Sequence, residues 1–370
     1  MSAVLKSISE AGTSIWLDDL SRERMIDGGK SRHLSELIDT DYVVGVTTNP
    51  AIFSASISKS SLYSSDIKKL AAQGHNAESI ITELTTADVK QACDIFMPVY
   101  ERSKGVDGRI SIEVDPRLAR NTDGTIHQAR ELWKKVARPN VLIKVPATIE
   151  GLPAIQTLTA DGISVNVTII FSVDRYQAVL EAFLQGLEDR VSQGLDISNI
   201  HSVASFFVSR VDTEIDPRLK SHSEPSAVSL LGKAAIANAR LAYQHFETVR
   251  SSSRWSSLAQ SGGNIQRPLW ASTGVKDPTY DPTMYVVDLV APLTVNTMPE
   301  PTLNAVRDTG LFKGDTATNN YELAGKVLSD LEDLGIDILE VAEKLESEGI
   351  EKFIKPWLEL IDAVEVAAAQ

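Results

Sequence analysis

Apolar and polar residues alternate in a series of short segments, and a period of two predicts β-strands. In residues 109–114, Ile110 and Ile112 face one way, whereas Ser111 and Glu113 face the other. Eight segments are predicted as strands because each is short, apolar or alternating, and bounded by turn residues: 14–18, 42–46, 109–114, 141–145, 165–169, 200–205, 268–272 and 285–290. Such a series is enough to build one large sheet or a closed barrel.

Most of the predicted strands are separated by segments in which apolar residues recur at helical spacing. The stripe Tyr176, Val179, Leu180 and Phe183 is one example. The pattern predicts helices over 21–38, over most of 51–105, over 227–248 and from 321 onward, with interruptions in the last at Gly335, Gly349 and Pro356. Residues 250–266 are predicted as a loop or a short helix.

Strands that alternate with helices predict the α/β class. With eight strands, the expected fold is a single (β/α)8 barrel with additional helices in the βα loops and at the C-terminus. We expect residues 1–370 to form one domain, in which 320–370 is a helical extension packed on the barrel. An open doubly wound sheet is the rival architecture, but no glycine-rich phosphate loop follows the first strand.

Five polar residues occupy the strand faces opposite the apolar ones: Asp18, Glu113, Lys144, Asn166 and Thr168. In a barrel, one face of each strand contacts the helices and the other faces the interior, so we expect these five side chains to point inward. Each lies near the carboxyl end of its strand, where barrel enzymes have their active sites. Five inward polar residues would be a costly way to build a core, and together they predict a functional site.

Lys144 lies between Ile143 and Val145 in the fourth predicted strand. Burying an ammonium is costly unless it is paired or neutralised, and an uncharged amine can attack a carbonyl carbon. We therefore interpret Lys144 as a Schiff-base lysine. A lysine considered alone is more often one that reaches solvent or pairs with a structural carboxylate, so the interpretation depends on the joint placement of the polar residues.

The chain carries 36 basic and 50 acidic residues, which give a formal net charge of −14. This charge argues against a general nucleic-acid or anionic-membrane surface, and no apolar run approaches the length of a membrane span. The single cysteine, Cys93, allows no intrachain disulfide, and the N-terminal segment has no apolar signal core. We therefore expect a cytoplasmic protein with neither nucleic-acid nor membrane partners.

The six histidines are scattered without the spacing of a metal site, which argues against a zinc-dependent aldolase. Carboxylates at the strand ends leave a magnesium site formally open. Pyridoxal phosphate also uses a Schiff-base lysine, but the chain has no glycine- and serine-rich phosphate loop to hold it. We expect neither a metal nor a cofactor.

Five motifs occur in the order T-T-N-P at 47–50, I-E-V-D at 112–115, I-K-V-P-A-T at 143–148, V-N-V-T-I-I-F-S at 165–172 and W-A-S-T at 270–273. With these motifs, from about residue 14 to residue 302, the chain resembles the transaldolases of the pentose phosphate pathway, most of all their longer bacterial branch. The resemblance implies a cofactor-free (α/β) barrel that transfers a dihydroxyacetone unit through a lysine Schiff base.

The resemblance also implies a catalytic role for each of four residues. Lys144 is the Schiff-base lysine, and Asp18 is the acid/base aspartate. Glu113 works through a water that Thr168 helps to hold. The alternation of the first strand favours Asp18 over the adjacent Asp19, which would share the helix-facing side.

Further positions are implied to bind substrate. Asn49 and Asn166 resemble the amides that hold the dihydroxyacetone hydroxyls. Ser205, Arg210 and Ser272 resemble the substrate and phosphate contacts.

One position departs from the commoner family pattern. Gly274 stands where many transaldolases carry a second phosphate-binding arginine. Lys276 is the nearest cation and can replace that arginine as a point charge, without its bidentate geometry.

The expected function is thus a transaldolase that moves dihydroxyacetone from sedoheptulose 7-phosphate or fructose 6-phosphate to glyceraldehyde 3-phosphate or erythrose 4-phosphate. One alternative is a fructose-6-phosphate aldolase that releases free dihydroxyacetone. Another is a catalytically silent barrel that binds sugar phosphates. Chain length and the W-A-S-T segment favour the transferase. The sequence leaves open whether the protein is a monomer or a homodimer, and whether the C-terminal helices cover the barrel mouth.

Overall fold

The computed structural model describes residues 2–369, and it confirms the predicted (β/α)8 barrel. Eight parallel strands within this range pair in chain order, and the last pairs with the first, which closes the barrel. The strands are β1 Thr13–Asp18, β2 Val43–Thr47, β3 Arg109–Glu113, β4 Val141–Pro146, β5 Val165–Ile170, β6 Ser202–Phe207, β7 Arg267–Ala271 and β8 Thr294–Met298.

Helices surround the barrel and extend its loops and its C-terminal end. Over residues 2–369 the α-helices are α1 Ala3–Glu10, α2 Leu34–Asp41, α3 Pro50–Lys59, α4 Ser64–Ala72, α5 Ala77–Arg102, α6 Thr122–Val136, α7 Gly151–Ala160, α8 Val173–Ser192, α9 Ser209–Ser221, α10 Ala234–Arg250, α11 Ser253–Gln260, α12 Met284–Val287, α13 Glu300–Thr309, α14 Tyr321–Asp333 and α15 Ile338–Ala368. Short 3₁₀-helices occupy Arg22–Arg24, Ser61–Tyr63, Pro116–Leu118 and Pro225–Leu230. None of the helices in this part of the chain combines the length and hydrophobicity needed to cross a membrane.

The prediction of the eighth strand at 285–290 is wrong. That apolar segment contains the single helical turn α12, and its residues are almost all buried. The true strand, β8, is T-V-N-T-M, and all five of its residues are buried. This strand was not predicted because three of its five residues are polar. These residues form hydrogen bonds inside the protein; for example, Asn296 Nδ2 donates to the carbonyl of Tyr285 at 3.0 Å. Tertiary packing thus overrides the local β-propensity of the 285–290 segment.

Three helix predictions also need correction. Most of 21–38 is irregular, because only Arg22–Arg24 and the start of α2 are helical there. The helix predicted over 227–248 begins at Ala234, after a 3₁₀-helix. The C-terminal helix α15 continues through Gly349 and Pro356 without the predicted breaks. Packing of an amphipathic face supplies most of the stability of a helix and can outweigh such local breakers.

Helix α15 crosses one end of the barrel. It packs against α3, α4, α5 and α9, and it also contacts β5. Gly349 and Phe353 are buried in this contact. The C-terminal segment therefore lies close to the carboxyl end of at least one barrel strand.

Candidate active site

A cavity of about 180 Å³ lies at the carboxyl ends of the barrel strands. Its walls are formed by Asp18, Thr47, Asn49, Lys144, Thr168, Ser205, Phe207, Arg210, Ala271, Ser272, Gly274, Lys276, Thr297, Pro299 and Phe353. Eight of the ten predicted site residues are therefore brought together around one space. The remaining two, Glu113 and Asn166, do not line the cavity but form hydrogen bonds to residues that do.

Lys144 is 4% exposed and is held from several sides. Glu113 lies beside it on the neighbouring strand, in register, and Nζ of the lysine is 3.3 Å from Oε2 of the glutamate. Nζ also donates to the carbonyl of Thr48 at 3.1 Å. The ring of Phe353, from α15, lies 5.4 Å from Nζ. The amine is thus fixed between a carboxylate, a carbonyl and an aromatic ring.

Asp18 is the second carboxylate near the amine. Its Oδ1 accepts a 2.6 Å hydrogen bond from the hydroxyl of Thr47, which lies 2.7 Å from the hydroxyl of Thr297. Burial raises the pKa of both Asp18 and Glu113, although the positive charge of Lys144 opposes the rise. Two carboxyl groups with raised pKa values beside one amine are suited to giving and accepting protons.

The adjacent Asp19 points away from this cavity. Its carboxylate pairs with Arg24 at 2.5 Å, and Arg24 also contacts Glu300 at 2.7 Å. The two aspartates therefore lie in different environments, as the alternation of β1 requires.

Hydrogen bonds order the polar interior below the cavity. Asn166 donates to the hydroxyl of Ser111 at 2.9 Å, and its Oδ1 accepts from Ser205 at 2.7 Å. The hydroxyl of Thr168 is buried and has no hydrogen-bond partner within residues 2–369. That hydroxyl is therefore available to a substrate or a solvent molecule.

Asn49 lines the cavity and is also the N-cap residue of α3, which begins at Pro50. Its Oδ1 accepts from the backbone N–H of Ile52 at 3.1 Å, with Pro50 at the first helical position. This N-cap hydrogen bond holds the side chain of Asn49 at the cavity wall.

Two cations line the cavity: Arg210, which follows β6, and Lys276, which follows β7. Arg210, near the start of α9, has a buried Nη1 without a hydrogen-bond partner in the described part of the chain, and its guanidinium lies 5.2 Å from the Phe207 ring centre. Burial lowers the pKa of Arg210, opposed by Glu348 and Asp18. A Cβ placed on Gly274 would stand 3.8 Å from Nζ of Lys276. The lysine amine therefore reaches the space that a side chain at position 274 would enter.

Two residues at this end of the barrel have backbone conformations that L-residues seldom adopt. Ser272 has φ 55° directly after β7, and Ile169 has φ 57° within β5. A β-branched residue at positive φ is strained. The pairing of β5 with β6 shifts between Val167 and Ile170, so Ile169 leaves the strand alternation. Its Cγ2 would lie 3.7 Å from a Cβ on Gly349 of α15.

Seven of the fifteen residues that line the cavity were not predicted as site residues, and three of these make the contacts around Asp18 and Lys144 described above: Thr47, Thr297 and Phe353. Thr47 belongs to the T-T-N-P motif, so a signal was present. Thr297 was missed because its strand was misplaced. Phe353 comes from α15, far along the chain, and no local pattern links it to Lys144.

Comparison with known proteins decides the family. The family model described as "Transaldolase/Fructose-6-phosphate aldolase" matches residues 15–364. The chain belongs to this family.

The chain is also similar to curated members of the transaldolase/fructose-6-phosphate aldolase family over nearly its whole length. A protein from Renibacterium salmoninarum is 56% identical over 367 residues, which cover 99% of the chain and 97% of the relative. Relatives from Mycolicibacterium smegmatis and Thermobifida fusca are 55% and 53% identical, with 98% of the chain and 96% and 98% of the relatives covered. All three are named "Transaldolase". The resemblance inferred from the motifs is confirmed.

The side chains that surround the cavity determine which reactions it can support. In residues 2–369 there is no group of three or more His, Cys, Asp or Glu side chains placed to hold a metal ion. The cavity instead offers one amine, two carboxyl groups, several hydroxyls and the cations of Arg210 and Lys276. Such a set can form an imine, transfer protons beside it and bind a phosphate.

Proposed function

We propose that this protein is a transaldolase of the pentose phosphate pathway that transfers a dihydroxyacetone unit through an imine on Lys144. The observation that carries the proposal is the buried Lys144 amine, 3.3 Å from Glu113, in a cavity that Asp18 also lines. The full-length relatives named "Transaldolase" support the same reaction. We further propose that the chain works in the cytoplasm as one domain, with 320–370 as its helical extension.

The first stage is formation of the imine. The neutral amine of Lys144 attacks the keto carbon of fructose 6-phosphate or sedoheptulose 7-phosphate, and the carbonyl oxygen leaves as water. Glu113 supplies and accepts the protons of this exchange through a water that the free hydroxyl of Thr168 helps to hold. The raised pKa of Glu113 suits this role, because the carboxyl can carry a proton closer to neutral pH.

The second stage is carbon–carbon bond cleavage. Asp18 accepts the proton of the hydroxyl on the far carbon of the breaking bond, that carbon becomes the aldehyde of the leaving group, and the bonding electrons move toward the protonated imine. An aldose phosphate leaves, and a three-carbon enamine stays on Lys144. The enamine then attacks the aldehyde of a second aldose phosphate, and hydrolysis of the new imine frees the amine. Burial raises the pKa of Asp18, which favours return of the proton.

Substrate orientation follows from the other cavity residues. Arg210 and Lys276 bind the phosphate, which places the opposite end of the sugar toward Lys144. Asn49 and Asn166 hold the dihydroxyacetone hydroxyls, and the hydroxyls of Ser205 and Ser272 complete the contacts.

A fructose-6-phosphate aldolase is the second candidate, since the family description includes it. In the aldolase the enamine is protonated and then released as free dihydroxyacetone. In the transaldolase the enamine reacts with the aldehyde of a second aldose phosphate. The protein is incubated with fructose 6-phosphate, with and without erythrose 4-phosphate, and free dihydroxyacetone and sedoheptulose 7-phosphate are measured. A transaldolase makes sedoheptulose 7-phosphate only with the acceptor and releases little dihydroxyacetone without it. Turnover at the same rate without acceptor would overturn the proposal in favour of the aldolase.

A further inference from the structure

A second cavity, with a mostly apolar lining and a few polar groups, lies at the amino-terminal end of the barrel, away from Lys144. It has a volume of about 230 Å³, and Arg109, His201 and Arg267 are among the residues that line it. Arg109 is the first residue of β3 and Glu113 is the last. At about 3.3 Å per residue, Arg109 therefore lies about 13 Å along β3 from the glutamate that pairs with Lys144.

Asp107 provides a carboxylate at this end of the barrel, and both of its oxygens already have partners. Asp107 Oδ1 pairs with Arg267 Nη2 at 2.9 Å and accepts from Trp16 Nε1 at 3.3 Å. Asp107 Oδ2 accepts from the hydroxyl of Ser14 at 2.9 Å, and that hydroxyl also accepts from Arg267 Nη1 at 2.9 Å. Asp107 therefore balances the charge of Arg267.

In residues 2–369 no carboxylate forms an ion pair with Arg109, although the charge of Asp107 also favours its charged form. Its side chain is among the largest fully buried ones, and its hydrogen bonds go to neutral acceptors: the carbonyl of Gly105 at 2.7 Å and that of Pro139 at 3.4 Å. The ring of Tyr100 lies 5.2 Å from the guanidinium. Nη2 is buried and has no hydrogen-bond partner in residues 2–369. A buried charged group with an unused donor is costly unless something in the cavity accepts from it.

His201 and this unused donor both lie close to Gly105. A Cβ on Gly105 would be 3.1 Å from Nε2 of His201 and 3.4 Å from Nη2 of Arg109, so both groups border the same small space. Burial and the two arginines lower the pKa of His201 to about 2, which keeps the imidazole neutral near pH 7. Burial and the nearby Arg267 lower the pKa of Arg109 to about 10, and the guanidinium remains charged at neutral pH.

Arg109 and Arg267 line the cavity, and Asp107, which is not a lining residue, pairs with Arg267, so these three side chains carry one excess positive charge in a chain with a net charge of −14. Val106, at its edge, is 38% exposed, which gives the space a side open to solvent. We propose that this cavity binds a small inorganic oxyanion, represented by phosphate, which accepts from Nη2 of Arg109. The bound anion would neutralise the excess charge and fasten the amino-terminal ends of β3, β6 and β7 to one another.

The first test locates the anion directly in the unmodified protein. Crystals are soaked in selenate, an oxyanion that anomalous X-ray scattering can detect. We expect an anomalous-difference peak in contact with Arg109 Nη2, in addition to any peak at Arg210 and Lys276. A peak confined to Arg210 and Lys276, or none at all, would overturn it.

The second test separates this site from the active site in solution. Phosphate binding is titrated calorimetrically in the Arg210→Gln variant, with chloride used to keep the ionic strength constant. We expect binding to persist in Arg210→Gln and to weaken at least tenfold when Arg109→Gln is added. The single variant Arg109→Gln should retain turnover, which shows that it folds. Loss of all phosphate binding in Arg210→Gln, or binding unchanged by Arg109→Gln, would contradict the proposal. Neither result depends on the imine chemistry of Lys144, so this inference and the proposed function fail independently.

Discussion

Replacing Glu113 by glutamine tests whether the carboxyl next to Lys144 acts in proton transfer. The substitution keeps the shape of the side chain and removes its charge and its ability to exchange a proton. The amine of Lys144 keeps its hydrogen bond to the carbonyl of Thr48 at 3.1 Å and its contact with the ring of Phe353 at 5.4 Å. Any loss of activity in Glu113→Gln is therefore due mainly to the carboxyl group.

The expected magnitude has two parts. The side chains of Lys144 and Glu113 are 5% and 7% exposed, and breaking a buried pair costs about 3–5 kcal/mol of folding free energy. Asp18 still attracts the lysine, so we expect about 3 kcal/mol, the lower end of that range. A positioned acid–base group contributes a factor of about 10²–10⁴ in rate, which corresponds to roughly 3–5 kcal/mol of transition-state stabilisation. We expect kcat to fall by that factor.

Three measurements check this prediction. Stopped-flow turnover gives kcat, borohydride trapping at short times gives the rate of imine formation, and urea unfolding gives the stability. The matched control is Glu83→Gln, which removes the same charge from an exposed ion pair with Lys135. The control should change stability by less than about 1 kcal/mol and leave kcat unchanged. If Glu113→Gln forms the imine at the wild-type rate, the proposed relay is wrong.

The remaining predictions concern other cavity residues. Asp18→Asn should lower kcat at least a hundredfold, whereas Asp19→Asn, outside the cavity, should keep most of it. Because the folded protein holds a proton on Asp18 at pH values where the unfolded chain has released it, this group stabilises the fold less as the pH rises above about 4. The stability of Asp18→Asn relative to wild type should therefore increase from pH 4 to pH 7 in urea unfolding, and a decrease would contradict the raised pKa. Lys276→Met should raise KM for erythrose 4-phosphate about tenfold or more with little change in kcat, and an unchanged KM would remove Lys276 from the phosphate site. Phe353→Ala should cost about 3 kcal/mol of folding stability. The same variant should release more dihydroxyacetone without an acceptor, measured by a coupled assay, because the ring no longer covers the Lys144 amine. Unchanged release would argue against this shielding role.

Local patterns were sufficient for seven of the eight strands and for the inward direction of the polar residues. Alternation within a strand fixes which side chains share a face, and parallel strands in a barrel bring their carboxyl ends together. Lys144 and Glu113 could therefore be placed near each other without coordinates, and they lie in register on β4 and β3. The distinction between Asp18 and Asp19 follows from the same rule.

Long-range packing accounts for what the sequence did not reveal. The segment 285–290 has the composition of a strand, but Tyr285 uses its hydroxyl to donate to Asp212 and packs within a helical turn. Phe353 reaches Lys144 only because α15 crosses the barrel end. The charge excess around Arg109 could not be seen either, since Asp107 is engaged by residues from other strands. Each of these features depends on which elements meet in space.

The central claim is that the amine of Lys144 forms the imine with the ketose phosphate. The protein is incubated with fructose 6-phosphate, reduced with borohydride, digested and mapped by mass spectrometry, with Lys144→Arg as the control. We expect a reduced three-carbon or ketose adduct on the peptide that contains Lys144, and neither adduct nor turnover in Lys144→Arg. An adduct on another lysine, or turnover that survives in Lys144→Arg, would contradict the account.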